Sequence, residues 1–267
     1  MTVQALYSAA TGMNALETKL DTISHNLANM ETTAYKKGRA NFEDLFYHHE
    51  RIPGLQDASS NLTATGISIG LGTQVSSTQT DFRQGAFKQT GNQYDVAIEG
   101  NGFFKVMDPS GETLYTRAGN FSVNAQGQIV LGSASTGRLL EPSVSIPPDT
   151  IKVQITADGK VMVQQPNNTQ LQQQGTIEIV NFLNPEGLLK KGENLYGETE
   201  ASGTATNGTP GQQGFGVLRQ NTLEASNVEP VTELIDLITT QRAFELNSQV
   251  VQAGDQVMQL VANMRRV

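Results

Sequence analysis

The stretch that decides the fold is VQALYSAATGMNALETKLDTISHNLA, residues 3–28. Its apolar residues recur at alternating spacings of three and four, which places them along one face of a helix. The pattern predicts a helix from about Val3 to about Ala28, roughly 40 Å long at about 1.5 Å per residue. The residues of this N-terminal seam are Leu6, Ala9, Met13, Leu16, Leu20, Ile23, Leu27 and Met30.

The other end of the chain carries a seam of the same kind. Pro230 suits the first turn of a helix, which the pattern extends to about Asn263, and Ser226 and Asn227 are candidate caps. The residues of this C-terminal seam are Ala243, Leu246, Val250, Ala253, Val257, Leu260 and Met264. A second apolar stripe on the same helix consists of Leu234, Leu237, Phe244, Val251 and Met258.

The middle of the chain has a different composition. Only Gly12 and Gly254 of the 26 glycines lie in the end segments, so helix-breaking residues are concentrated in between. Asp158-Gly159 stands between alternating apolar residues and predicts a β-hairpin, and a second turn is predicted at Gly127. The middle is therefore predicted to be rich in β-strands.

The region before these strands gives two weaker signals. Phe42, Leu45 and Phe46 fit helical spacing and predict a short helical turn. From Pro53 to Gly72 the sequence is rich in Ser, Thr, Asn and Gly, the composition of a long loop.

These patterns predict an α+β fold, in which two long terminal helices form a coiled-coil-like layer and a central β-rich domain carries a long extended loop. The predicted segments are 1–35 for the N-terminal helix, 36–73 for a connecting segment with the loop, 74–225 for the β-rich domain and 226–267 for the C-terminal helix. A helical hairpin packed within one monomer is the alternative. The seams are expected to pair the two helices. We expect neighbouring subunits to cover the remaining faces, including the second stripe, because one hairpin does not offset the entropy of ordering about sixty residues.

The composition argues against several classes of function. A formal net charge of -8 and a pI near 4.9 oppose nucleic-acid binding, which selects basic surfaces. The absence of cysteine removes disulfides, thiol catalysis and cysteine metal sites. No stretch is long and apolar enough for membrane insertion, and the first residues lack the basic and apolar regions of a cleavable secretory signal.

Candidate catalytic and metal-binding residues are few. His48 and His49 are adjacent, so their side chains diverge on any regular element, and no third ligand is spaced for zinc. Gly100 and Gly102 precede a strand and not a helix, which favours a tight turn over a phosphate-binding loop. We therefore expect no enzyme activity, no metal and no cofactor.

Apolar seams on helices at both ends of a chain are more typical of a subunit that polymerises than of an enzyme.

Five blocks of sequence carry a resemblance to a known family. They are SHNLANMETTAYKKGRANFEDLFY from Ser24, DVAIEGNGFFKV from Asp95, YTRAGNFSVNAQGQIV from Tyr115, NPEGLLKKGENLY from Asn184 and LEASNVEPVTELIDLITTQRAFELNS from Leu223. In this order they resemble the bacterial flagellar rod and hook proteins. The residues that carry the motifs are Asn26, Ala28, Asn29, Thr32, Tyr35, Lys36, Gly100, Gly102, Phe103, Phe104, Ser226, Asn227, Val228, Gln241 and Arg242.

Within this family the chain is most similar to the distal rod proteins. Its length, the block ENLYGETEASG from Glu193, and FYHHERIPGLQDASSNLTATG from Phe46, which resembles a distal-rod insertion, carry that similarity. His25 stands where the family usually has Asn, and Ala34 where Gly commonly precedes the aromatic residue and Lys.

The resemblance implies a structural subunit of the flagellar basal-body distal rod, a hollow helical polymer that transmits torque to the hook for motility. Its implied partners are further copies of the chain, the proximal rod protein, the hook protein, the P-ring and L-ring proteins and the flagellar type III export apparatus. The implied place is the rod that spans the periplasm to the outer membrane, reached without a cleaved signal peptide. The end helices would form the inner layer of the tube.

Two alternatives stay open from the sequence. A proximal rod protein of the same family would differ in the polymer partner above it. A secreted β-rich adhesive or binding module would be a stable monomer with ordered ends.

Overall fold

A computed structural model describes residues 2–54, 64–132, 136–166, 168–212 and 214–264. It confirms an α+β fold with a helix at each end and a β-rich region between them. The elements are α1 Thr2–Ala28, β1 Gly38–Asp44, β2 Tyr47–Arg51, β3 Ile67–Gly70, β4 Thr73–Thr80, β5 Phe87–Gln89, β6 Val96–Glu99, β7 Phe103–Met107, β8 Thr113–Thr116, β9 Phe121–Val123, β10 Ile129–Leu131, β11 Leu139–Glu141, β12 Lys152–Ile155, β13 Lys160–Gln165, β14 Asn168–Thr176, β15 Ile179–Asn181, a 3-10 turn Pro185–Gly187, β16 Leu189–Gly192, β17 Leu195–Gly197, β18 Thr206–Gly208, β19 Val217–Gln220, β20 Thr222–Glu224 and α2 Pro230–Met264.

The chain divides into two compact units, each built from separated stretches. The first unit comprises Met1–Ala28, Gly38–Thr80 and Glu229–Val267, and the second comprises Asn29–Lys37 and Asp81–Val228. The segment boundaries proposed from the sequence stay a prediction. Among the residues that the structure describes, no helix combines the length and the apolarity that a membrane crossing needs.

In the first unit α1 and α2 pair antiparallel. Asn26, near the end of α1, donates to the Glu233 carboxylate near the start of α2 at 3.2 Å. At the opposite end, Gly254 of α2 lies so close to α1 that a Cβ there would be 2.5 Å from Leu6 Cδ2. The α2 positions that turn toward α1 are buried or partly buried and follow a four-three spacing; they are Glu233, Leu237, Thr240, Phe244, Asn247, Val251 and Gly254.

The side of α2 that packs on α1 is not the C-terminal seam chosen from the sequence, which is a correction. Leu246 is 62% exposed and Leu260 63% exposed, and Val250 and Val257 are exposed as well. The packed side instead carries Leu237, Phe244 and Val251 of the second stripe. The hydrogen bond at Glu233 and the close backbone approach at Gly254 lie on the same side, and hydrophobic periodicity indicates neither of them.

Two antiparallel ribbons complete the first unit, β1 with β4 and β2 with β3. The helical turn predicted around Phe42 and Phe46 is therefore wrong, because Phe42 lies in β1 opposite Val75 of β4. Aromatic residues favour strands, and strand pairing supplies the partner that a local spacing argument cannot see. The predicted loop from Pro53 to Gly72 contains β3, while its residues 55–63 lie outside the described part of the chain.

The second unit is a β structure with one principal core. Its main sheet has the order β16-β17-β8-β7-β11-β10-β9, with β15 pairing to β7 and β18. The hairpin predicted at Asp158-Gly159 is confirmed, since Ile155 of β12 lies opposite Val161 of β13, and the turn at Gly127 joins β9 to β10. The side chains with no measurable exposure include Val96, Ile98, Phe104, Val106, Val161, Val163, Ile177 and Ile179.

We predict that Gly119→Ala destabilises the second unit by about 3 kcal/mol, because a Cβ at this position would overlap the carbonyl oxygen of Val96 in the packed core. Gly91→Ala is the matched control, since a Cβ there meets nothing within 4 Å. Chemical denaturation of both variants measures the difference. Equal midpoints for the two variants would contradict the close approach at Gly119.

Candidate functional site

Two short connectors meet in the second unit. The first is residues 29–37, which follow α1, and the second is residues 221–228, which precede α2. The Ala34 backbone N–H donates to the Glu224 carbonyl at 2.8 Å, and the Lys37 N–H donates to Asn227 Oδ1 at 2.8 Å. Ala34 holds a left-handed φ of 56° to do this. The two connectors are therefore hydrogen-bonded to each other.

Beneath the connectors lies a buried charge triad formed by Lys36, Arg117 and Glu224. Lys36 Nζ is 2.6 Å from Glu224 Oε1, and neither side chain has measurable exposure. Arg117 Nε donates to Glu224 Oε2 at 3.1 Å. The Gly85 N–H adds a further bond to Glu224 Oε1 at 2.9 Å. Both oxygens of this carboxylate are thus bonded inside the protein.

The remaining donors of the two cations bond to backbone carbonyls. Lys36 Nζ donates to the Arg83 carbonyl at 2.8 Å. Arg117 Nη1 donates to the carbonyls of Gly100 and Gly102 at 2.9 and 2.8 Å. These two glycines have φ angles of 104° and 139°, so the tight turn predicted there serves to present oxygens to a buried guanidinium.

The triad contains two cations and one carboxylate. Burial penalises the ammonium and lowers the pKa of Lys36 from its ordinary value, and the neighbouring Glu224 carboxylate opposes this shift. Burial also raises the pKa of the nearby Tyr196 hydroxyl. Because Glu224 is bonded to Lys36 of the first connector and to Arg117, the triad holds separate segments of the second unit together as a structural clamp.

Asn227 is a bridging residue and not a helix cap. Its amide group donates to the carbonyls of Asp81 and Arg83 at 2.8 and 3.1 Å, besides accepting from Lys37. Ser226 Oγ accepts from the Val228 N–H at 3.3 Å, which keeps it within the connector. The prediction that these residues cap α2 is wrong, because α2 begins only at Pro230.

The other motif residues divide between the two units. Asn26 is buried in the first unit, where its amide pairs with both backbone groups of Gly38. In the second unit Asn29 accepts from the Thr32 hydroxyl at 3.1 Å. The buried motif side chains there include Tyr35, Phe103, Phe104 and Val228. The exposed positions are Ala28, Gln241 and Arg242.

The predicted seam residues also separate by exposure. Ile23 of α1 is buried, and the partly buried members are Leu6, Met13, Leu16, Leu20, Leu27, Leu237 and Phe244. The exposed members on α2 are Leu234, Leu246, Val250, Val257 and Leu260. We call Leu246, Val250, Val257 and Leu260 the outer α2 face.

Sequence reasoning missed Arg117 and Glu224 as site residues, although both lie inside quoted blocks. The one local signal for a buried site was that each of these charged residues lies among residues that favour strands. Nothing local in the sequence shows that these charges pair with Lys36. For metals, the described residues contain no cluster of three potential ligands, and His48 and His49 lie on the exposed strand β2.

Three family models match this chain. The model "Flagella basal body rod protein" matches residues 6–36, "Flagellar hook protein FlgE/F/G D1 domain" matches 97–163, and "Flagellar basal body rod FlgEFG protein C-terminal" matches 219–264. Each matched range supplies one member of the charge triad. The triad therefore joins the three family segments.

Curated relatives agree with these matches over the whole length. The flagellar basal-body rod protein FlgG of Caulobacter vibrioides is 44% identical, over 98% of this chain and 100% of its own. FlgG of Bacillus subtilis is 36% identical, over 99% and 100%. The chain belongs to the FlgG family of flagellar basal-body rod proteins.

Membership of the FlgG family makes the chain a structural subunit of the distal rod of the flagellar basal body. The flagellar hook protein FlgE of Salmonella typhimurium is a more distant relative, 24% identical over 96% of this chain and 99% of its own. The similarity to rod and hook proteins predicted from the motifs is confirmed.

Proposed function

We propose that copies of the chain polymerise into a hollow distal rod that transmits torque to the hook, and that the chain is not an enzyme. The observation that carries the proposal is the outer α2 face, a row of large apolar side chains left exposed on an isolated copy. In the polymer, α1 and α2 of each copy would form a coiled-coil-like inner layer of the tube. The proposal agrees with membership of the FlgG family.

The energetics favour burial of this face by other copies. Covering one large aliphatic side chain contributes about 1.5–3 kcal/mol, so several such side chains per copy supply a strong drive to associate. Soluble monomers seldom leave such rows uncovered. Because these aliphatic side chains lie outside the side of α2 that packs on α1, they are available to partners beyond the same chain.

The proposed partners follow from a place in the rod. They are further copies of the chain, the proximal rod protein, the hook protein, the P-ring and L-ring proteins, and the type III export apparatus that would deliver the chain to the periplasm. The similarity to FlgE supports contact with a hook built from related subunits. A chain without cysteine needs no disulfide formation after export.

We predict that Leu246→Asp prevents polymerisation while the variant keeps the circular dichroism spectrum of the unassembled wild-type chain, because Leu246 is 62% exposed before assembly. Sedimentation and electron microscopy measure the polymer, and circular dichroism measures the fold. Gln249→Asp is the matched control, since it adds the same charge at an exposed position without removing an apolar side chain. Polymers of Leu246→Asp at the wild-type concentration would contradict the proposal.

We further propose that the segment from His48 to Thr65 stiffens the rod. Every residue of β2 is exposed, and a two-stranded ribbon alone is marginally stable in water. In the polymer this ribbon would lie against a neighbouring copy and restrict sliding. The resemblance to a distal-rod insertion at Phe46 supports a role that hook subunits do not share.

The structure allows a clean removal of the ribbon, because Tyr47 and Gly70 lie opposite each other. Replacing residues 48–69 by Asn-Gly would close the strands with a two-residue turn. We predict polymers that form but are curved or more flexible in electron micrographs. The double variant His48→Ala, His49→Ala keeps the ribbon and should give straight rods. Straight rods of ordinary stiffness from the replacement would refute the role.

A further inference from the structure

The charge triad joins chain segments that are far apart in sequence. Lys36 and Glu224 are separated by 188 positions, and Arg117 and Glu224 by 107. Each cation lies on a different segment, and both share the one carboxylate. The consequence is that the environment of Lys36 in the first connector depends on a residue of the second.

The balance of charge makes the loss of Glu224 more costly than the loss of Lys36. With Glu224 ionised, two cations and one carboxylate are buried together, and both cations contact it directly. Removing Glu224 would leave two unpaired cations, a strongly unfavourable state in a buried site. Removing Lys36 would leave Arg117 and Glu224 as a one-to-one pair. The carboxylate therefore matters to both connectors, whereas the ammonium is expendable.

Hydrogen bonds link the same residues to both connectors. The Ala34 N–H bonds to the Glu224 carbonyl, and the Asn227 N–H bonds to the Tyr35 carbonyl at 3.4 Å. The second connector is in turn tied to the β structure through the Ala225 N–H and the Ala86 carbonyl, 2.8 Å apart. If one connector dissociated from the β structure by itself, the backbone groups of the other connector would lose their hydrogen-bond partners.

We infer that Glu224 acts as a coupling residue that makes the docking of the two connectors, residues 29–37 and 221–228, one all-or-none event. Until the second connector is in place, Lys36 and Arg117 lack the one carboxylate that both contact directly, and the first connector stays undocked. The docking of residues 29–37 therefore depends on a segment near the other end of the chain. This coupling is a property of the single chain and does not depend on polymerisation.

Amide hydrogen exchange of the full-length monomer tests the coupling. Ala34 and Lys37 report on the first connector, Ala225 on the second, and Thr156 and Gly159 on the β12–β13 hairpin. In Glu224→Gln we expect exchange at both connectors to rise by about 10²–10³-fold, the ratio that corresponds to breaking a buried pair. The hairpin amides should be unchanged. Glu200→Gln, at an exposed position, is the matched control and should leave every reporter unchanged.

Two further variants separate charge balance from simple loss of a side chain. Lys36→Met should change exchange at Ala225 by less than about tenfold, because Arg117 still balances Glu224. The double variant Lys36→Met, Glu224→Gln should exchange at least about tenfold more slowly at Ala225 than Glu224→Gln alone. Equal rates in the single and double variants would overturn the inference, and so would release of the second connector alone in Glu224→Gln.

The wild-type chain supplies a test that remains if Glu224→Gln does not fold. Exchange measured at rising denaturant gives an opening free energy and a denaturant slope for each amide. We expect the Ala34 and Ala225 amides to share the same opening free energy and the same denaturant slope. Different slopes for the two amides would show that the connectors open independently, which overturns the inference.

Discussion

A single buried carboxylate constrains the second unit of this chain. Glu224 has no measurable side-chain exposure, so its charge must be met entirely by the protein. Lys36, Arg117 and the Gly85 N–H meet it, and each comes from a different part of the chain. A buried ion pair adds little net stability compared with well-packed apolar residues. Its value here is specificity, because the charges are satisfied only when all these segments are correctly placed.

The α2 helix carries large apolar residues on two sides. On its packed side Leu237, Phe244 and Val251 alternate with polar residues, and its outer face carries exposed aliphatic residues. In a monomer this arrangement leaves apolar area in water. In a polymer of a FlgG-family protein the same apolar area is the surface that other copies can cover. The exposure that is unfavourable in a monomer therefore favours assembly.

Local features of the structure were predictable from the sequence. The helix ends near Ala28 and Pro230 follow from apolar periodicity and proline preference, and the Asp158-Gly159 hairpin follows from turn chemistry. Features that depend on partners far away in the sequence were not predictable. The packed face of α2 depends on Asn26 and Gly254, and β1 depends on pairing with β4. The charge triad is the extreme case, because Lys36, Arg117 and Glu224 carry no local sign that they meet.

An electron microscopy reconstruction of tubes assembled from the purified chain, resolved well enough to place side chains, is the most direct test of assembly through the outer α2 face. The quantity to measure is the solvent exposure of Leu246, Val250, Val257 and Leu260 within the tube. We predict that helices of neighbouring copies bury all four side chains. A tube in which these side chains line the water-filled channel, as exposed as in the single chain, would contradict assembly through this face.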